Sequence, residues 1–202
     1  MENMTPIREE TFQNLVFDAG ILLYNFDYSS ATDAESLAAL VKTAKQTGAN
    51  LLGATKGGVN PQTNFEFWSP ELDGKRMAFK GEKRLSNAEC MISGTLVEMT
   101  PDNVQRVLAL ADKTEKDGIV TVQPRFAIKD GDYLDSVVWV GNLGTDGLYL
   151  VELKNALCVK GLSTQTTDKD VGTLPFEFHG HADSVSSTEL PIKYVFFKAK
   201  TA

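Results

Sequence analysis

The sequence is poor in the residues from which reactive centres are most often built. Its 202 residues include two cysteines and two histidines. Cys90 and Cys158 stand 68 positions apart, in neither a metal-binding nor a redox spacing. That excludes a disulfide framework and leaves two buried or half-buried thiols as the expectation. Positive charge is also in deficit: 20 Lys and Arg against 27 Asp and Glu give a formal charge of −7. Such a balance argues against a protein whose main task is to grip nucleic-acid phosphates. Long apolar runs are missing. "AGILLYNF" is too short to span a bilayer, and the start "MENMTPIREE" lacks the apolar stretch of a secretory signal, so synthesis in a cytoplasm is expected. There is no Gly-x-Ser-x-Gly elbow, no internal repeat and no low-complexity tract, and the carboxylates are plentiful but scattered.

What is present is an ordinary globular composition, 42% hydrophobic and 23% charged, in a length that suits one domain over residues 1–202. The dominant pattern has period two. "AECMISGTLVEM" puts Ala88, Cys90, Ile92, Gly94 and Leu96 on one face and Glu89, Ser93 and Thr95 on the other. "IVTVQPRFAI" sorts Val120, Val122, Phe126 and Ile128 against Thr121, Gln123 and Arg125, with Pro124 marking an edge or a bulge. "SVVWVGN" and "GLYLVELKNAL" flank "LGTDG", whose glycines suit a hairpin turn. Two last strands follow, with Leu174, Phe176 and Phe178 inward on one and Ile192, Tyr194 and Phe196 inward on the other.

Two segments carry helical signals instead. In "TPDNVQRVLALAD", Thr100 is an N-cap, Pro101 fits the first helical position, and Val104, Val107, Leu108 and Ala111 form a stripe. "TDAESLAALVKTAKQTG" has Thr32 or Asp33 as cap, Leu37, Leu40, Val41 and Ala44 as stripe, and Gly48 as terminator. Both stripes are expected to face the core. The fold class is therefore mainly β with two helices.

Three local features bear on chemistry. In "PFEFHGHAD", extended backbone places Glu177, His179, His181 and Asp183 on one side and Phe176 and Phe178 on the other. These are ligand types that zinc accepts, yet two histidines one residue apart supply at most half a site, and no other His or Cys cluster completes it. No bound metal is expected. "GATKGGVNPQT" is similar to the opening of the deviant phosphate-binding loop of partition-type ATPases, but Asn60 and Pro61 stand where a Gly-Lys-Ser/Thr is needed. It reads as a flexible strand-to-loop passage. "DGKRMAFKGEKR" sets Lys75, Arg76, Lys80, Lys83 and Arg84 against Asp73 and Glu82, a net of +3 within an acidic chain. Either it is a solvated hairpin, or it docks against an acidic partner such as another copy of the chain.

Taken in order, "NLVFDAGILLYNFD", "LLGATKGGVN" with "NFEF", "DGKRMAFKGEKRL", "ISGTLVEMTPDNVQRVLAL", "VVWVGNLGTDGLYLVELKNAL", "VGTLPFEFHGHAD" and "PIKYVFF" resemble the major tail tube protein of long-tailed bacteriophages and prophages. The likeness runs from about Phe12 to Phe197 and leaves the helical stretch Asp33 to Thr47 unmatched. It implies a two-sheet β-barrel or sandwich with a flanking helix, assembled into stacked hexameric rings around a channel for DNA, with no catalytic site and no cofactor. Tape-measure and terminator proteins and passing DNA are the implied partners, the virion tail the implied location, and no membrane is involved. An N-terminal arm (about Met1 to Phe17) and a long loop or hairpin (about Asn60 to Leu85) are the implied contacts between subunits, with Lys75, Arg76, Lys80, Lys83 and Arg84 as candidate contact residues. A secreted tube or carrier protein of the type VI kind, and a metal-dependent enzyme using Glu177, His179 and His181, stand as the alternatives.

Overall fold

A computed structural model describes residues 7–144, 147–166 and 168–198. The first six residues of the expected arm, and Thr145 and Asp146 of the expected "LGTDG" turn, lie outside them. The architecture is a β-sandwich with two helices. One sheet orders β1 (Val16–Tyr24), β6 (Leu134–Leu143), β7 (Gly147–Cys158) and β9 (Ile192–Phe197). The other orders β2 (Thr55–Trp68), β3 (Arg84–Leu96), β8 (Leu174–His179) and the end of β7. All these pairings are antiparallel. Strand β7 belongs to both sheets, pairing β9 through Leu148–Leu153 and β8 through Leu157 and Cys158. Among the described residues no closed barrel forms.

Period-two alternation explains the layers. Leu22, Val137, Trp139, Val151, Leu153 and Ile192 from the first sheet meet Cys90, Ile92, Leu96, Phe176 and Phe178 from the second in one buried cluster. Phe176 and Phe178 are the largest of its fully buried side chains, each contributing about 1.5–3 kcal/mol by leaving water. The opposite face of the first sheet is covered by α1 (Ala34–Thr47). Ala34, Leu37 and Ala44 pack there on Leu23, Val138, Val140, Leu150 and Phe197. The helix starts at Asp33, whose carboxylate accepts from the Ser36 N–H at 2.8 Å while Ser36 Oγ accepts from the Asp33 N–H, and ends at Gly48 with φ 69°.

The second helix, α2 (Pro101–Leu108), is shorter than its sequence stripe, because Ala109 takes φ 57° and Ala111 already opens β4 (Ala111–Lys116). Its Thr100 cap accepts from the Asn103 N–H at 3.1 Å. Asn103 itself is buried, and its amide donates to the carbonyls of Leu52 (2.9 Å) and Glu98 (3.1 Å).

The structure corrects four expectations. "IVTVQPRFAI" is a strand only as far as Pro124. β5 (Ile119–Pro124) pairs only with β4 in a separate two-stranded ribbon, leaving Val120, Phe126 and Ile128 exposed and Val122 half-buried. The ribbon is joined to α2 by buried Ala111, whose carbonyl accepts from the Gln105 amide, and by the Lys113–Asp102 ion pair, while Lys129–Asp112 and Arg125–Asp132 link the ribbon to the turn that follows it. "GATKGGVNPQT" is no loop, since from Thr55 onward it lies in β2. Its Lys56-Gly57-Gly58 run forms a bulge with φ near +80° at both glycines. Tyr194 and Phe196 do share the side of Ile192, but they sit at an open end of the inter-sheet space and remain exposed. Glu177, His179, His181 and Asp183 do not form one row, because β8 ends at His179.

Candidate assembly surface

The β2–β3 hairpin is the most extended feature. Its ladder runs from Thr55↔Leu96 to Trp68↔Arg84, and residues 69–83 close it. Directly paired residues share a face, so Pro61/Ile92, Thr63/Cys90, Phe65/Ala88 and Phe67/Leu85 form a row on the core-facing side. Ser86 is the extra residue of a second bulge that keeps Leu85 in this row. The inner half of the row is covered by the opposing sheet, and Thr63 Oγ1 reaches the Tyr194 hydroxyl at 2.6 Å. Beyond that point the row continues without cover: Phe65, Phe67 and Leu85 are 49%, 59% and 54% exposed. On the opposite sheet Tyr149 stacks on Phe196 (4.7 Å) and Tyr194 (6.4 Å) at the same open end.

The hairpin tip adds Trp68, Leu72, Met77 and Phe79, all exposed. Their display is held by an internal clamp. Lys75 Nζ lies 2.9 Å from Glu82 Oε1 and donates to the Pro70 carbonyl at 3.1 Å, with both charged side chains largely out of solvent. The Lys75 hydrogen bond, more than any other cause, holds the Glu82 carboxyl below its ordinary range. Of the five basic contact candidates, Lys75 is therefore engaged inside the loop. Lys83 lies over the Phe67 ring (5.9 Å), and Arg76, Lys80 and Arg84 are exposed and form no ion pair among the described residues. Apolar side chains interleaved with unpaired cations make a surface suited to an acidic, partly apolar partner.

The described part of the N-terminal arm, residues 7–17, carries exposed Ile7, Phe12, Leu15, Val16 and Phe17. It is pinned where it meets the fold: the Gly144 N–H donates to the Leu15 carbonyl at 2.7 Å, and a Cβ at Gly144 would come within 2.4 Å of the Gln13 carbonyl oxygen.

The histidine stretch divides into two unrelated settings. His179 lies between carboxylates on the outer face of the second sheet, Nε2 2.9 Å from Glu177 and Nδ1 3.2 Å from Glu89. The two nitrogens point to different partners, so the three groups do not converge on one point. His181 instead pairs Nδ1 with the Asn155 carbonyl (3.0 Å) and packs edge-on against Tyr133, while Asp183 accepts from the Asn155 amide (2.7 Å). Among the described residues no group of three His, Cys, Asp or Glu side chains is placed to hold a metal ion. Lys56, the lysine of the apparent phosphate loop, pairs with Asp170 at 2.6 Å.

Sequence reasoning singled out the basic residues of the hairpin and missed its apolar ones. "NFEFW" and "MAF" carried the signal, as bulky apolar residues within a segment rich in turn formers and charge. No known protein family matches the chain, and no curated protein does. No helix among the described residues is long and apolar enough to cross a membrane.

Proposed function

We propose that this protein is a virion structural subunit that assembles with copies of itself into stacked hexameric rings, forming a tail tube through which DNA passes. The observation that carries this reading is the core-facing row of β2 and β3, which runs out of the sandwich as exposed Phe65, Phe67 and Leu85 and ends in an apolar, basic tip. A monomer gains nothing from holding such a row in water. Packed against neighbouring copies, it extends the core across the contact. The rest of the chain is acidic, and Arg76, Lys80, Lys83 and Arg84 offset the repulsion between like-charged subunits.

The two faces of the sandwich differ in a way that suits a tube wall. α1 covers the first sheet. The outer face of the second sheet carries Asn60, Gln62, Asn64, Glu66, Glu89 and Glu177. Facing a channel, that polar and acidic surface repels a duplex bearing about one negative charge per ~1.7 Å, so DNA slides without sticking. In this reading the protein needs no cofactor and performs no catalysis, and it meets tape-measure and terminator proteins at the ends of the tube.

Negative-stain microscopy and sedimentation of the purified protein test the proposal, with rings or tubes expected. Reversing Lys80, Lys83 and Arg84 to glutamate is expected to impair assembly while circular dichroism stays unchanged. A monodisperse monomer at high concentration overturns the tube reading, and normal tubes from the triple variant return the basic segment to a solvated hairpin.

A further inference from the structure

A groove of about 440 Å³ lies beside α1, on the far side of the first sheet from the inter-sheet core. Ile21, Val41, Val140 and Leu148 form its apolar floor, and Lys42 and Lys45 stand on its rim. These lysines are one helical turn apart, hence neighbours on the helix surface. Both are exposed, and neither forms an ion pair among the described residues. Asp18, the acidic residue of the lining, is occupied by the Asn142 amide at 2.8 Å. The groove thus offers an apolar floor beneath two lysines and one carboxylate, a lining that is positive on balance. It exists because β1 bulges between Phe17 and Ile21, which draws the strand away from regular pairing beside the helix.

Within the otherwise basic hairpin tip, the turn Glu71-Leu72-Asp73 carries the complementary pattern. Leu72 is 65% exposed and stands between Glu71 and Asp73, both exposed and, among the described residues, neither in an ion pair. An apolar knob flanked by two acids matches an apolar hole flanked by two lysines. The groove also has room for a second side chain from the same tip, Met77 or Phe79.

We infer that the Glu71-Leu72-Asp73 turn of one copy docks in the α1 groove of another, Leu72 on the apolar floor and the two carboxylates against Lys42 and Lys45. The inference rests on the tube reading and adds its address: which part of the neighbour the hairpin reaches. Because the knob and the groove are different surfaces of the same chain, the contact is head-to-tail, the kind that closes into rings or propagates along a stack. It also gives α1 a role besides covering the first sheet.

Charge exchange tests the contact. The variant Lys42→Glu/Lys45→Glu sets acid against acid, and Glu71→Lys/Asp73→Lys sets base against base. Each is expected to raise the protein concentration needed for assembly by about tenfold or more, as read by sedimentation, while circular dichroism stays that of the wild type. An equimolar mixture of the two variants restores both kinds of pairing when copies alternate, and the fourfold variant restores them within one chain. Assembly at the wild-type concentration is expected from both. Wild-type assembly by either double variant alone, or failure of both the mixture and the fourfold variant to recover, overturns the docking. Failure of the tube reading shows separately, in wild-type protein that does not assemble.

Discussion

The hydroxyl of Tyr194 on β9 lies 2.6 Å from Thr63 Oγ1 on β2, and this bond between the two sheets marks where the hairpin leaves the sandwich. Inward of it the row on β2 is core; outward it is bare. The two halves of the strand therefore respond differently to substitution. Phe67→Thr with Leu85→Thr is expected to change monomer stability by less than about 0.5 kcal/mol, the range of surface substitutions, while abolishing assembly. Urea unfolding and sedimentation of the same variant check the two effects. A loss of several kcal/mol with assembly intact contradicts the division.

Asn103 is the buried polar group with the most to lose. Its amide satisfies the carbonyls of both Leu52 and Glu98, tying α2 to the chain entering β2. Asn103→Ala strands two acceptors and is expected to cost about 1–3 kcal/mol in urea unfolding. Asn103→Asp should be worse, since a carboxylate cannot donate to either carbonyl.

The Lys75–Glu82 clamp makes the tip sensitive to acid. Glu82 has a folded-state value held below its ordinary 4.5, chiefly by the Lys75 hydrogen bond. The clamp is accordingly complete above that ordinary value and is lost as pH falls through the depressed one. Fluorescence of Trp68, which is exposed on the same hairpin, should change as pH falls through that depressed value while far-ultraviolet dichroism holds. In Glu82→Gln that acid step should be missing.

Burial pushes both thiols, Cys90 and Cys158, above the ordinary range. Nucleophilic thiolate is scarce as a result, and neither sulfur is accessible. A thiol reagent at pH 8 is expected to react with neither cysteine in the native protein and with both in urea. Rapid modification of either one in the folded state would place it at the surface.

Much of the fold was legible in the sequence. Strand alternation, both helix caps and the glycine stop of α1 express local rules, and the chain obeys them. The failures arise where tertiary context decides. "IVTVQPRFAI" has the alternation of a half-buried strand, but β5 pairs only with β4 in a ribbon apart from both sheets, so its apolar residues meet water. In "PFEFHGHAD" the pattern promised one polar row, but β8 stops at His179: Gly180 still bonds Cys90 of β3, and His181 then turns to β7, its N–H donating to the Lys154 carbonyl. The candidate surface was half legible. Charge counting found Arg76, Lys80, Lys83 and Arg84, whereas the exposure of Phe65, Phe67 and Leu85 depends on where the opposing sheet ends, which no local pattern encodes.

Strand β7 joins both sheets through one continuous backbone, with Asn155 at φ 45° near the changeover from β9 to β8. A load applied to the hairpin of the second sheet passes through β3 and β8 into the end of β7, and from there into the first sheet along covalent bonds rather than through side-chain contacts alone. The sheets cannot slide past one another without tearing that strand from a neighbour. The subunit therefore behaves mechanically as one folded plate with a crease at Asn155, and a twist imposed on one leaf turns the other.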